Sequence, residues 1–189
     1  CFSFHPLKNL NVWGDGGIIT TNSIKISNKL RLLRNHGLVS RDRCSVFGYN
    51  SRLDTIQAII ANHMLEKIDH ITNSRIENSK YLDSKLKTIK QIKIPVRDKN
   101  IVEVFHLYII KCQKRNKLLE YLNKFKIDAK VHYSQPMHLQ QAAKYLKYKK
   151  GDFPVTERTV NQIISLPVHE FVTKKNLDFM ISKIRSFYS

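Results

Sequence analysis

From Leu53 onward the apolar residues return every three or four positions, at Leu53, Ile56, Ile60, Met64, Ile68 and Ile71. Tyr81, Leu82, Leu86 and Ile89 continue the series. That spacing lays them along one side of an α-helix. Ser51 and Asp54 fit a capping box at its start, with Ser51 as N-cap. Pro95 lies beyond the run and favours an extended or loop segment. A helix of this length is one that bridges two domains, and Pro95 is the boundary signal beyond it.

The flanking segments alternate between strand and helix signals. Gly16-Gly17 leads into a short strand over residues 18–21. Ser27–Arg34 reads as a helix that stops at His36-Gly37. Residues 102–112 alternate in the manner of a strand. Asn116–Phe125 is helical, and residues 127–133 read as another strand. Pro154 precedes a short helix over residues 156–164. Thr173 caps a last amphipathic helix carrying Leu177, Met180, Ile181, Ile184 and Phe187. Short connections between alternating strands and helices define an α/β or α+β chain.

Composition narrows the partners. Hydrophobic residues form 42% of the 189, enough for a packed core. No apolar run approaches the roughly 18–20 residues of a membrane span, and no signal-peptide pattern opens the chain, so no membrane insertion is expected. Cys1, Cys44 and Cys112 form no CxxC pair, which points to reduced thiols in the cytoplasm and to neither a metal site nor a disulfide framework. The net charge of +18 suits a polyanionic partner. The lysines are spread along the chain among Asn and Ile, however, as on a solvated surface. No nucleic-acid-binding motif accompanies them.

The first seventeen residues concentrate the chemistry. The stretch FSFHPLKNLNVWGDGG at 2–17 sets Ser3 and Lys8 on either side of the bend at Pro6, just ahead of a glycine cluster. A lysine amine held beside an aldehyde forms a Schiff base. A hydroxyl nearby suits a phosphate. Alone, a lysine in a chain with 33 Lys and Arg residues carries little weight.

Six stretches together carry much more. FSFHPLKNLNVWGDGG, RNHG at 34–37 and GYNSRLDTIQA at 48–58 resemble the nucleotide-sugar aminotransferases of the DegT/DnrJ/EryC1/StrS family. VHYSQPMHLQ at 131–140, GDFPVTE at 151–157 and SLPVHEFVT at 165–173 extend the resemblance, in order, over the whole chain. It implies an α/β, partial type I, aspartate-aminotransferase-like fold. Residues 1–68 would then be the end of the large cofactor-binding domain, with the start of the interdomain helix. Residues 69–189 would be the rest of that helix and a small C-terminal domain. Family members are about twice this length, so the chain is expected to correspond to their C-terminal half.

The resemblance also implies residue roles. Lys8 matches the lysine that carries pyridoxal phosphate and moves a proton during the reaction. Ser3 matches the serine that bonds the cofactor phosphate. Asn50 matches the asparagine that reaches the phosphate of the neighbouring subunit, which makes a homodimer with shared active sites. Arg52 is placed near the carboxylate of the amino donor, glutamate. His132, Tyr133 and His138 lie where relatives admit the sugar nucleotide, and structural or surface roles stay open for them. Gly14–Gly17 reads as a structural turn rather than a phosphate cradle. The implied reaction moves an amino group from glutamate to a nucleotide-linked keto-sugar, for surface polysaccharide or amino-sugar synthesis. Two other classes remain in view at this point: a catalytically inactive remnant of the fold, and a basic nucleic-acid-binding domain.

Overall fold

The computed structural model describes residues 1–189, which fall into two compact units, Cys1–Asp69 and His70–Ser189. In the first unit, β1 (Phe2–Ser3) pairs antiparallel with β2 (Gly17–Ile18), Phe2 opposite Ile18 and Ser3 opposite Gly17. Phe4 continues the ladder by donating its N–H to Gly16 O, and its own carbonyl accepts from Val12 N–H. Phe4 and Val12 are the buried hydrophobic side chains of this unit. Helix α1 (Ile24–Leu33) starts at Ser23, whose Oγ accepts from Ile26 N–H at 3.3 Å. Its end is enforced by Gly37 at φ +71°, which returns an N–H to Leu32 O. A hairpin follows, β3 (Leu38–Ser40) against β4 (Arg43–Cys44).

The expected single long helix is two. Helix α2 covers Thr55–Glu66 and α3 covers Ile68–Leu86, parted at Lys67. The cap of α2 is also shifted. Asp54, not Ser51, stands at the N-cap, and its N–H donates to Gln57 Oε1 at 3.4 Å. Three residues separate Asp54 and Gln57, as a capping box requires.

The second unit is built on a three-stranded antiparallel sheet. β5 (Ile92–Lys93) and β7 (Ile163–Leu166) flank the central β6 (Tyr108–Cys112). Tyr108, Ile110 and Cys112 alternate into one core with Leu82 and Leu86 of α3. Helix α4 (Arg115–Lys124) adds Leu118 and Leu122, and α6 (Lys174–Tyr188) adds Leu177, Met180, Ile181 and Ile184. Thr173 caps α6 as expected, accepting from Asn176 N–H at 3.3 Å.

Three expectations change here. Residues 102–107 are not strand; Val102 and Val104 face solvent, and Arg97 bridges Asp83 and Glu103 beside them. The 127–133 strand reduces to one bridge, Lys130 opposite Ser165. The helix after Pro154 is α5, Pro154–Thr159, and Ile163 and Ile164 belong to β7. Two 3-10 turns, Met137–Leu139 and Gln141–Leu146, precede α5. No helix is long and apolar enough to cross a membrane.

Candidate functional site

Ser3 and Lys8 sit on the strand β1 and the turn that follows it. Pro6 takes the second position of that turn, where its fixed φ is favoured, and Lys8 N–H closes it onto His5 O at 2.8 Å. His5 Nδ1 accepts from Leu7 N–H at 3.2 Å, and Asn11 Nδ2 donates to Lys8 O at 3.4 Å. The Lys8 backbone is thus tied on both sides while its side chain is half-buried. Ser3 Oγ accepts from His5 N–H at 3.3 Å, which leaves the hydroxyl proton for another acceptor. The paired strand must be glycine at this register. A Cβ on Gly17 would lie 2.8 Å from Phe2 O.

Gln57 fastens this hairpin to the start of α2. Its Nε2 donates to Asp15 O at 3.0 Å while its Oε1 accepts from Asp54 N–H. The sequence reading did not single it out, although its distance from Asp54 is a cap signal.

Asn50 and Arg52 are brought together: Arg52 Nε donates to Asn50 Oδ1 at 3.0 Å. The amide hydrogens of Asn50 are left for a further acceptor. The segment that carries them is joined to the end of α1 by main-chain bonds. Tyr49 N–H reaches Leu33 O, His36 N–H reaches Tyr49 O, and Ser51 N–H reaches Arg34 O, with Asn35 bridged to Asn50. The RNHG and GYNSR stretches are therefore one piece of backbone structure. Arg34 of the first and Tyr49, Asn50, Ser51 and Arg52 of the second border a cleft of about 810 Å3 that also takes in Asp15, Gly17 and Arg31.

The second unit carries the remaining candidates on separate supports. His132 Nδ1 lies 2.8 Å from Oγ of Ser165, a buried residue of β7. Tyr133 is 75% exposed beside it. Both border a cleft of about 560 Å3 with Arg115, Asn116 and Lys130. His138 is held elsewhere, its Nε2 3.1 Å from Glu157 Oε1 and its side chain 8% exposed. The same Glu157 oxygen accepts from Gly151 N–H at 2.8 Å. That backbone bond, and then His138, hold the Glu157 carboxyl below the usual carboxylate range against the opposing pull of burial. Ser165 and Glu157 are the supporting residues missed from sequence; neither lies near its histidine along the chain.

Comparison with known proteins names the class that this fold and hairpin define. The crystal structure of S. venezuelae DesV in complex with a ketimine intermediate superposes with a TM-score of 0.94 and 30% identity, covering 100% of this chain and 51% of that one. A pleiotropic regulatory protein of Geobacillus stearothermophilus is 33% identical over 99% of this chain and 51% of its own length. A dTDP-3-amino-3,4,6-trideoxy-alpha-D-glucose transaminase of Streptomyces venezuelae is 31% identical over 98% and 49%. The chain has part of the type I fold of pyridoxal-phosphate-dependent sugar aminotransferases and spans about half the length of the curated relatives it matches. Residues 1–185 match the DegT/DnrJ/EryC1/StrS aminotransferase family, and the chain belongs to that family.

Proposed function

We propose that this chain is the lysine-bearing part of a pyridoxal-phosphate-dependent aminotransferase that moves an amino group, from glutamate, to a nucleotide-linked keto-sugar. The observation that carries the reading is the β1–β2 hairpin, with a hydroxyl and a lysine on one glycine-closed strand and turn. The donor set fits the cofactor. Lys8 offers an amine for its aldehyde, and Ser3 retains a proton for its phosphate. Asn50 retains amide donors for a phosphate held by a second copy. Pyridoxal phosphate, when bound, supplies an electron sink for amino-group exchange.

The chain's own residues then divide the remaining work. Lys8 holds the cofactor and moves a proton at the reacting carbon. Arg52, held against Asn50, presents a guanidinium fork to the carboxylate of the amino donor. His132, oriented by Ser165, and Tyr133 receive the sugar nucleotide. His138 serves the same region by tying its 3-10 turn to Glu157. Residues 1–68 are assigned to the end of the large cofactor domain and the start of the interdomain helix, and 69–189 to that helix's continuation and the small domain. A homodimer with shared active sites is part of the same reading, with Asn50 directed to the second copy. The assigned setting is cytoplasmic amino-sugar or surface-polysaccharide synthesis, and slight turnover is expected of these 189 residues alone.

The test is a titration with pyridoxal phosphate followed by borohydride. The expected result is an absorbance band near the visible edge that reduction bleaches, with the label on the peptide containing Lys8 and absent from Lys8→Ala. A label distributed over many lysines, undiminished in Lys8→Ala, overturns the reading.

A further inference from the structure

His5 enters the Lys8 turn through every polar group it has on that side. Its N–H donates to Ser3 Oγ at 3.3 Å, its carbonyl accepts from Lys8 N–H at 2.8 Å, and its Nδ1 accepts from Leu7 N–H at 3.2 Å. The bonds of the N–H and the carbonyl are main-chain bonds, open to any residue but proline. The bond to Leu7 needs a side chain that accepts.

A side-chain acceptor that takes the N–H two residues on makes an Asx turn, and Asn or Asp ahead of Pro is its usual start. His5-Pro6 stands in that place here. The imidazole supplies the acceptor that an amide or carboxylate oxygen otherwise would. It does so as the neutral ring with its proton on Nε2, because an imidazolium has two donors and no acceptor.

This bond does little to hold the unit together. His5 and Leu7 are both exposed, and the bond ties neither of them to another element. What it fixes is the orientation of the peptide between Pro6 and Leu7, directly ahead of Lys8. The main-chain N–H of the same histidine holds the oxygen of Ser3. The proposed phosphate donor and the proposed cofactor lysine are thus both referred to the one residue between them.

We infer that the His5 side chain is a positioning residue for Lys8, acting as the acceptor of an Asx-type turn, so that asparagine replaces it and an apolar side chain does not. The cofactor role of Lys8 rests on the proposed function; the turn itself rests on the bond to Leu7.

The full chain with His5→Leu and His5→Asn tests it, by amide hydrogen exchange without cofactor and by the rate of the borohydride-trapped pyridoxal phosphate label on Lys8. Exchange at Leu7 should rise about fivefold in His5→Leu, the size of one modest hydrogen bond. In His5→Asn it should stay within about twofold of wild type, since the amide oxygen restores the acceptor. Labelling of Lys8 should slow about threefold or more in His5→Leu and recover in His5→Asn, in step with the same bond. Nitrogen resonances of the wild-type ring should show an unprotonated Nδ1 and a protonated Nε2. Amide resonances of the β6–β7 ladder should stay in place in both variants, which separates lost positioning from lost fold. Unchanged exchange at Leu7 in His5→Leu overturns the inference, as does failure of His5→Asn to restore it or a ring protonated at Nδ1. A label absent from all three proteins, with exchange that follows the acceptor, sinks the aminotransferase reading alone. An equal label in all three sinks the positioning role alone.

Discussion

The second unit gathers side chains from α3, β6, β7, α4 and α6 into one buried cluster, and its single glycine, Gly151, has open space where a Cβ would go. The first unit buries Phe4 and Val12, exposes Trp13, Ile24, Phe47 and Ile59, and contains the other five of the six glycines. Its elements are instead set by main-chain bonds, from Phe4 to Gly16 and from the end of α1 to residues 49–51. The second unit excludes water from a cluster of side chains, whereas in the first close backbone leaves no room for a Cβ at Gly17, Gly37 or Gly48. The residues proposed for the cofactor lie in the first unit. Their positions follow from turn geometry rather than from packing.

The contrast makes a steep prediction for the core. Leu82→Ala in the second unit should cost about 2–5 kcal/mol by the usual cost of a buried truncation. Ile56→Ala on exposed α2 should stay within about 0.5 kcal/mol in the isolated chain. Denaturant unfolding measures both, and equal losses would break the distinction.

Next in size is a backbone test. A Cβ at Gly37 would lie 1.6 Å from Val46 O, in a conformation with φ +71°. Gly37→Ala should therefore disturb the amide resonances of residues 33–51 while leaving those of the second unit in place. Spread of the shifts into the β6–β7 ladder would count against two separately determined structures.

The thiols give a graded version. Cys1 and Cys44 are exposed and Cys112 is buried. Burial pushes the Cys112 thiol up to about 11. Disulfide-exchange reagent at pH 8 should label the first two rapidly and the third after unfolding. Because the folded value is raised, the stability this thiol contributes is complete below its ordinary value near 8.5 and disappears as pH climbs through about 11.

The smallest effect concerns Glu157. Its carboxyl is depressed, so its contribution is present above the ordinary carboxylate value near 4.3 and disappears as pH falls through the lowered folded value. Amide exchange in residues 137–157 should rise in that acid window, and Glu157→Gln should remove the pH dependence. An unchanged profile in the variant would show that the bond from Gly151 matters less than its geometry suggests.

The sequence was readable where a local rule decides the outcome. Thr173 with Asn176, Gly37 after α1, and the leucine spacing of α4 each act within a few residues. The errors fall where distant contacts decide. β7 is short and its last three residues are all buried, so it has no alternation to separate it from a helix. Val102 and Val104 alternate as a strand would, yet the segment stays outside the sheet, where Glu103 pairs with Arg97. The apolar series from Leu53 runs straight past Lys67, where the backbone breaks without a Pro or Gly to announce it. For the candidate site, Lys8, Ser3, Asn50 and Arg52 were visible as motif residues. Gln57, Ser165 and Glu157 act on partners between 19 and 42 residues away, a relation that no spacing rule encodes.

The bonds between residues 33–36 and 49–51 have a further consequence for the hairpin they enclose. The tip of that hairpin, residues 40–43, lies beyond a closed gate that also includes Ser45 N–H on Gly37 O and Val46 against Gly37, so the tip's length and composition are free to drift without displacing Asn50 or Arg52. Lengthening such a loop raises its closure entropy slowly. The stretch is thus a natural place for specificity to diversify, or for a tag or sensor to be spliced in, while the machinery beside it stays put.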